Sequence, residues 1–335
     1  HRFRPPPMTQ LLHPLLQTLA TAQPGTDAVR LFHGRGGLYP GCEHLSLDWY
    51  PPAWVLTTFA PLPEADVLAV GQALAARQAE RFPGEPLCWV LQDRSPVPGG
   101  GRAVTTAMAA PLPEPHVVTE DGARHTVHVL KGQNHGLFLD MAEGRRWVRH
   151  LAHQHLAAHV AAGHTRAHRF KVLNLFAYTC AFSVAALQGG ATEVVNVDMS
   201  SSALATGQHS HALNGFQGRA RFLAHDVFSS WGKLTRSGPY ELVVLDPPSF
   251  QKGSFVATKD YARLVRRLPD LLMPGGHALL CLNAPELDTA FLHGLVQAHA
   301  PGLRFVQRLP NPPAFADRDP ERALKVLVFE LPPDA

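Results

Sequence analysis

At 335 residues, 45% hydrophobic and 17% charged, the chain has the material for a sizeable core and is not a disordered one. Its formal charge of +3 permits a nucleic-acid partner without demanding one, and its 20 histidines add positive charge in acid. The cysteines, Cys42, Cys88, Cys180 and Cys281, are too far apart for a zinc knuckle or disulfide framework, so no metal is expected, and no run of about 18 apolar residues marks a membrane span.

The length suggests roughly two domains. Residues 1–7 precede Met8 and read as an upstream remnant outside the fold. Residues 11–21 suit a short helix with Pro14 in its first turn. Arg30-Leu31-Phe32-His33-Gly34-Arg35-Gly36-Gly37 then reads as a strand running into a glycine-rich turn with arginines. It is either a phosphate-contacting loop or a structural turn, and the second is the commoner case. No Gly-Lys-Ser/Thr follows, so it is not a Walker loop. Strands are expected at 45–49 and 54–59, a helix at 64–81 ended by Pro83-Gly84, and a strand at 87–91. Residues 95–115, rich in Pro, Gly and Ala, read as a linker or surface loop.

Residues 116–120 and 124–130 flank Asp121-Gly122, a pair suited to a type I′ hairpin turn. Residues 137–140 are expected to form one more strand, and 145–162 a helix. From there to the next strand the cations are Arg145, Arg146, Arg149, Arg166, Arg169 and Lys171, with no acid among them. Arg145, Arg149 and His153 fall on one helical stripe, which is either a phosphate-tracking face or a solvated one.

From Lys171 the pattern is α/β alternation. Strands are expected at 172–175, 193–197, 220–224, 241–245, 277–282, 303–308 and 324–330. Helices are expected at 180–188, 200–213, 257–272 and 286–299. The fold class is therefore α/β with a seven-stranded Rossmann-like sheet and a smaller α/β domain ahead of it. The last two strands are joined by 309–322 without a helix, so the final strand is expected to run antiparallel.

Several strands end in chemistry. Asn174 lies within the first apolar run, of Val172, Leu173 and Leu175; Asp198, Asp226 and Asp246 follow the second, third and fourth. In a doubly wound sheet, ligands sit at the carboxyl ends of the strands. These positions suit the three parts of S-adenosylmethionine. Asn174 and the loop after it, with Phe176, Ala177 and Thr179, would hold the methionine end. Asp198, beside Met199, would accept from the ribose hydroxyls. Asp226 would accept from the adenine amine, with Val227 or Phe228 covering the ring. Asp246 would face the methyl group.

Gly136-Leu-Phe-Leu-Asp140, Val172-Leu-Asn-Leu-Phe-Ala-Tyr-Thr, Val197-Asp-Met-Ser200, Leu213-Asn-Gly215, Asp246-Pro-Pro-Ser-Phe250 and Pro274-Gly-Gly276 carry a resemblance. Together they resemble the bacterial family of S-adenosylmethionine-dependent methyltransferases that modify bases of large-subunit ribosomal RNA. The resemblance covers about residues 117–330, and 31–91 is more loosely similar to that family's small α/β domain. It implies a class I methyltransferase in the cytoplasm, with ribosomal RNA as partner and S-adenosylmethionine as cofactor. The implied domains are 8–112, the small domain and its linker; 113–165, a hairpin and basic helix; and 166–335, the methyltransferase domain. Arg145, Arg149, Arg263 and Arg266 would contact RNA. The RNA-binding barrel that some members place at the N-terminus is not expected here.

Cys180 departs from the family loop, where it occupies the position of a glycine. The expectation is that this position only begins a helix, so that cysteine is harmless and packs inward. Three other readings remain: a methyltransferase for a small molecule or protein, a nicotinamide-binding Rossmann protein, and a relative that binds RNA but has lost its cofactor. No G-x-G-x-x-G lies near Asn174, which argues against nicotinamide.

Carbon-five methylation of cytosine needs a thiolate. Ser249 follows Asp246-Pro247-Pro248, and Asn283 falls where carbon-methylating relatives keep a cysteine, with Cys281 two residues earlier. Nitrogen methylation of guanine is therefore favoured. Asp246 and the Pro247 carbonyl would align the base, Phe250 would stack on it and Asn283 would orient it.

Overall fold

The computed structural model describes residues 11–100, 104–109 and 112–334. The expected remnant at 1–7 lies outside them, as do 101–103 and 110–111 of the expected linker. The chain divides into two compact units. One comprises residues 1–122, 126–139 and 313–319; the other 123–125, 140–312 and 320–335.

The first unit holds α1 (His13–Thr21), β1 (Val29–His33), β2 (Leu45–Tyr50), β3 (Ala53–Thr58), α2 (Glu64–Arg81), β4 (Cys88–Asp93) and β5 (Val104–Ala107). The strands form one sheet in the order β1-β2-β3-β4-β5. Only β3 and β4 are parallel, because α2 carries the chain across between them. Val70 and Leu74 of α2 pack on Trp49, Trp54 and Leu56 of the sheet. Strand β5 corrects the linker reading: Val104–Ala107 pairs antiparallel with β4. Its side chains are mostly exposed, so no apolar alternation marked it.

Strands β6 (His116–Glu120) and β7 (Ala123–Val127) form the expected hairpin. Asp121 at φ 50° and Gly122 at φ 82° supply the two positive angles of a type I′ turn. The strand expected at 137–140 is absent. A 3₁₀ turn, Leu139–Met141, stands there instead and leads into α3 (Ala142–Ala161).

The second unit is the larger. It contains β8 (Lys171–Leu175), α4 (Ala181–Gly189), β9 (Glu193–Asp198), α5 (Ser201–Leu213), β10 (Ala220–Ala224), α6 (Trp231–Ser237) and β11 (Tyr240–Leu245). A small hairpin follows, β12 (Phe250–Gln251) with β13 (Phe255–Val256). Then come α7 (Ala257–Val265), α8 (Leu268–Leu271), β14 (Leu272–Leu282), α9 (Thr289–His299), β15 (Arg304–Arg308) and β16 (Lys325–Glu330). The seven-stranded sheet runs β10-β9-β8-β11-β14-β16-β15. Strand β16 slots between β14 and β15 and is antiparallel to both, as expected of the last strand.

Burial on both faces explains the near-continuous apolar runs of β8, β9, β11 and β14. Leu173, Val195, Val243 and Leu280 face one core with Tyr261 and Leu264; Val172, Val194, Val244 and Leu279 face the other with Val148 and Phe182. The register is level: Leu175 lies opposite Val197 and Leu245, and Leu245 opposite Leu280. The carboxyl ends of these parallel strands therefore meet along one edge of the sheet.

Candidate active site

That edge carries the strand-end residues picked out in the sequence. After β8 the chain does not turn smoothly into α4. Phe176, Tyr178 and Cys180 all have positive φ, at 59°, 51° and 65°. A non-glycine residue pays for that geometry, and three within five residues mark a backbone held for a purpose. The amides of this loop are met within the protein: Ala177 N donates to Val197 O, Tyr178 N to Asp198 Oδ2 and Cys180 N to Ala177 O. The left-handed Cys180 corrects the expectation that this position merely begins the helix: a glycine would sit there because of φ, and cysteine bears the strain.

Asp198 braces this loop. Its Oδ2 accepts from Tyr178 N at 2.9 Å and its Oδ1 from Ser200 N at 2.8 Å. Ser200 in turn caps α5 by accepting from Ala203 N. Ala177 N donates to Val197 O, which ties the loop to β9. Ala177 and Thr179 are buried, Phe176 is half-buried, and Met199 next to Asp198 is 59% exposed.

Beneath the loop lies a polar chain that the sequence did not announce. Asn174 Nδ2 donates to Asn196 Oδ1 at 2.9 Å, and Asn196 Nδ2 to Ser183 Oγ at 3.1 Å. Ser183 Oγ meets His211 Nε2 at 2.7 Å, and His211 Nδ1 meets Gly207 O at 2.6 Å. The two asparagines are register partners on neighbouring strands. Burial lowers the His211 pKa, which suits a neutral ring that donates from Nδ1 and accepts at Nε2. Asn174 Oδ1 is buried without a hydrogen-bond partner. A buried acceptor left open is costly unless a ligand donor meets it.

At the end of β10, Asp226 is exposed and Val227 is buried. Asp226 Oδ1 accepts from Phe228 N at 3.0 Å. Phe228 stacks on Phe255 with ring centroids 6.3 Å apart, and the Arg263 guanidinium lies 3.9 Å over the Phe228 ring.

At the end of β11, burial and the Asp140 charge push the Asp246 carboxyl up to about 7, against the opposing pull of Arg145. The next residue, Pro247, is buried, whereas Phe250 on the small hairpin is 65% exposed. Asn283 is exposed just past β14. The loop it begins is held by Lys325, whose buried Nζ donates to Ala284 O at 3.0 Å, Glu321 O at 2.6 Å and Ala323 O at 3.0 Å. Cys281 lies inside β14 and is fully buried. Burial first, then the charges of Asp246 and Asp140, push its thiol pKa up. Tyr261 Oη donates to its carbonyl at 2.9 Å.

Residues 29–330 match the family model of the S-adenosylmethionine-dependent methyltransferases. The chain belongs to this family. The cofactor of the methyltransferase is S-adenosylmethionine, and the braced Asp198 and the open Asn174 acceptor fit it. Over 168 residues it is 34% identical to ribosomal RNA large subunit methyltransferase I of Aeromonas salmonicida, covering 49% of this chain and 39% of that one. Over 169 residues it is 34% identical to ribosomal RNA large subunit methyltransferase K/L of a Psychrobacter strain, covering 48% and 19%. The match thus spans less than half the length of these curated relatives. A methyltransferase solved with S-adenosylhomocysteine, SMU.776, shares the fold at TM-score 0.73 and 22% identity, over 96% of this chain and 80% of that one.

The sequence missed Asp140 and Lys325 as site residues. Asp140 was visible within a family-like motif, but nothing signalled that its charge would reach Asp246. Arg145 requires a correction. It is only 4% exposed, so it does not lie on a face that could track phosphates, and its charge acts on Asp246 instead. Arg149 is half-buried, and Arg263 and Arg266 are exposed.

Proposed function

We propose that this chain methylates a base of ribosomal RNA, at a nitrogen of guanine rather than carbon five of cytosine. We assign cofactor binding and transfer to residues 166–335, with 113–165 leading into them and 8–112 as the smaller domain. The observation that carries the choice of base is Asp246 with its carboxyl near 7, beside Cys281 with its thiol kept neutral.

Bound S-adenosylmethionine supplies an electrophilic methyl group. Asp246 accepts a hydrogen bond from the guanine N–H and takes its proton as the methyl arrives. A base whose pKa lies near the working pH suits this step. Arg145 keeps enough of the carboxylate ionised to act, and the Pro247 carbonyl offers a second acceptor for the base edge. Phe250, exposed on its hairpin, stacks on a base flipped from its strand, and Asn283 orients it. Cytosine carbon five would need a thiolate to add to the ring. Cys281 is buried inside a strand with its ionisation suppressed, and burial likewise pushes the Cys180 thiol up.

The similarity to relatives named for ribosomal RNA supports the substrate class, and exposed Arg266, with Arg263 that also pairs with Asp260 at 3.2 Å, supplies positive charge on the stretch that follows the β12–β13 hairpin. Ribosomal RNA in bacteria is cytoplasmic, so we assign the reaction there. The test is mass spectrometry of nucleosides from ribosomal RNA incubated with wild type, Cys281→Ser and Asp246→Ala. Cys281→Ser is expected to stay active, and Asp246→Ala to lose at least about a hundredfold, the scale of lost general-base catalysis. A carbon-methylated pyrimidine, or an inactive Cys281→Ser that still binds cofactor, would overturn the nitrogen reading.

A further inference from the structure

The glycine-rich turn after β1 takes no part in the reaction above. It places Arg35 in a single 3₁₀ turn, Gly34–Gly36. Both flanking glycines press on backbone. A Cβ at 34 would stand 1.8 Å from Cys42 O, and one at 36 would stand 2.2 Å from Ala316 O. The turn is therefore seated rigidly. The Arg35 guanidinium lies 3.6 Å over the centroid of Phe59. Arg94, just past β4, reaches the same ring at 5.1 Å. Its backbone N donates to Thr58 O, and its Nη2 donates to Gln133 Oε1 at 3.2 Å.

Nearby charges do not neutralise this pair. Asp48 is committed to Arg30, accepting from Nε at 2.8 Å and Nη2 at 3.1 Å. Asp93 Oδ1 accepts from Ser95 N at 2.8 Å. Burial, then the Arg30 charge, push His33 down to about 4, so its ring is neutral at physiological pH. Among the described residues, neither Arg35 nor Arg94 pairs with a carboxylate. Desolvation, then the other arginines, lower the Arg35 pKa, as expected of like charges held together. Two guanidinium groups on one aromatic ring, without an acid, form a site that an anion completes. Their planar forks match a phosphate, and the shared ring holds both guanidinium groups close together.

We infer that Arg35, Phe59 and Arg94 bind a phosphodiester segment of single-stranded RNA on the first unit, as a docking point for the substrate. The inference rests on the RNA reading above. It is tested with the full chain and a fluorescein-labelled single-stranded RNA of roughly 20 nucleotides, by anisotropy across a potassium chloride series.

Arg35→Ala with Arg94→Ala is expected to weaken binding at least tenfold at low salt. The slope of log affinity against log salt should fall by about 1.4, at about 0.7 for each phosphate no longer neutralised. Arg35→Lys with Arg94→Lys should keep the slope and still lose affinity severalfold, because an ammonium neither forks nor stacks. Affinity for S-adenosylmethionine, read by calorimetry, should be unchanged in both. Arg35 is exposed, so Arg35→Gln alone preserves the fold and should lose about half that slope. If wild type binds the RNA and the alanine pair retains its slope, the docking site is overturned and the RNA reading stands. If the lysine pair matches wild type, the stacked geometry is overturned. If wild type does not bind RNA, both readings fall.

Discussion

The Cys180 side chain fills the space that a side chain at Gly207 would need: a Cβ at 207 would stand 2.7 Å from Cys180 Sγ and 2.8 Å from Thr179 O. The strained cysteine of the cofactor loop is thus matched by a missing side chain on α5, and it packs there with Ala177 and Leu204. Gly207→Ala should push on the loop directly. Overpacking of this kind costs about 1–3 kcal/mol, and S-adenosylmethionine affinity should fall with it. Cys180→Gly relieves a left-handed strain of roughly 1–2 kcal/mol but gives up buried packing, so its net effect on stability should be small. The double variant should be less damaged than Gly207→Ala alone. Additive effects in a double-mutant cycle, read by chemical denaturation and calorimetry, would break the pairing.

Asp198 braces the Tyr178 and Ser200 amides, and in the proposed site it also accepts from the ribose hydroxyls. Asp198→Ala removes hydrogen bonds to a charged acceptor, worth about 1.5–3 kcal/mol each. Cofactor affinity should drop at least tenfold while the far strands stay folded. Unchanged affinity in calorimetry would remove Asp198 from the ribose site.

Asp246 predicts opposite pH trends for rate and stability. As a base it must be ionised, so kcat/KM should rise with pH and level off above about 7. For stability the sign reverses. Its folded pKa is raised from 3.8 to about 7, so between those values the folded state holds more of the proton than the unfolded one. Stability from this group is therefore greatest in acid and is lost as pH rises towards 7. The loss is on the order of 4 kcal/mol for a shift of this size. Asp246→Asn carries no charge to desolvate. Its melting temperature should exceed that of wild type at pH 8 by more than it does at pH 5. A constant difference across that range would refute the raised carboxyl.

The sheet was legible because burial writes itself into composition. Val-Leu at 172–173 and Leu-Val-Val-Leu at 242–245 are apolar on both faces, and their ends mark the ligand edge. Asp198 and Asp246 could be found for that reason. A φ angle leaves no such trace. Cys180 reads as an ordinary small packing residue until the backbone shows its hand. Burial of long polar chains is equally silent. Arg145 looks solvated on a helical wheel, and Lys325 looks like an edge-strand charge, yet both are enclosed. Strand β5 was hidden for the converse reason: it is exposed and held by backbone pairing alone.

Lys325 clamps the loop that begins at Asn283. Lys325→Met keeps the stem but leaves the carbonyls of Ala284, Glu321 and Ala323 without their shared donor. Each buried polar group left unpaired costs about 1–3 kcal/mol, so thermal unfolding should begin well below that of wild type. At temperatures where the variant is folded, RNA KM should rise more than cofactor KM, because in the proposed site the loop begun by Asn283 meets the base and not the ribose. Wild-type stability in this variant would show that the clamp is dispensable.

Arg145 and the surface arginines should separate cleanly. Arg263→Ala with Arg266→Ala removes two exposed cations, one of them paired with Asp260, so the salt slope of single-stranded RNA binding should fall by about 0.7 to 1.4. The pH profile of the reaction should stay where it was. Arg145→Ala should do the reverse. Arg145 is buried and pulls the Asp246 pKa down. Without it, Asp140 and burial act unopposed, and the Asp246 carboxyl should climb further above its ordinary range. The rising limb of the kcat/KM profile should therefore move to higher pH, with the salt slope unchanged. Arg145→Lys should restore part of the shift, since it returns a charge without the guanidinium's fixed geometry. A salt slope that falls with Arg145→Ala, or a pH profile that does not move, would return Arg145 to the RNA-contacting face.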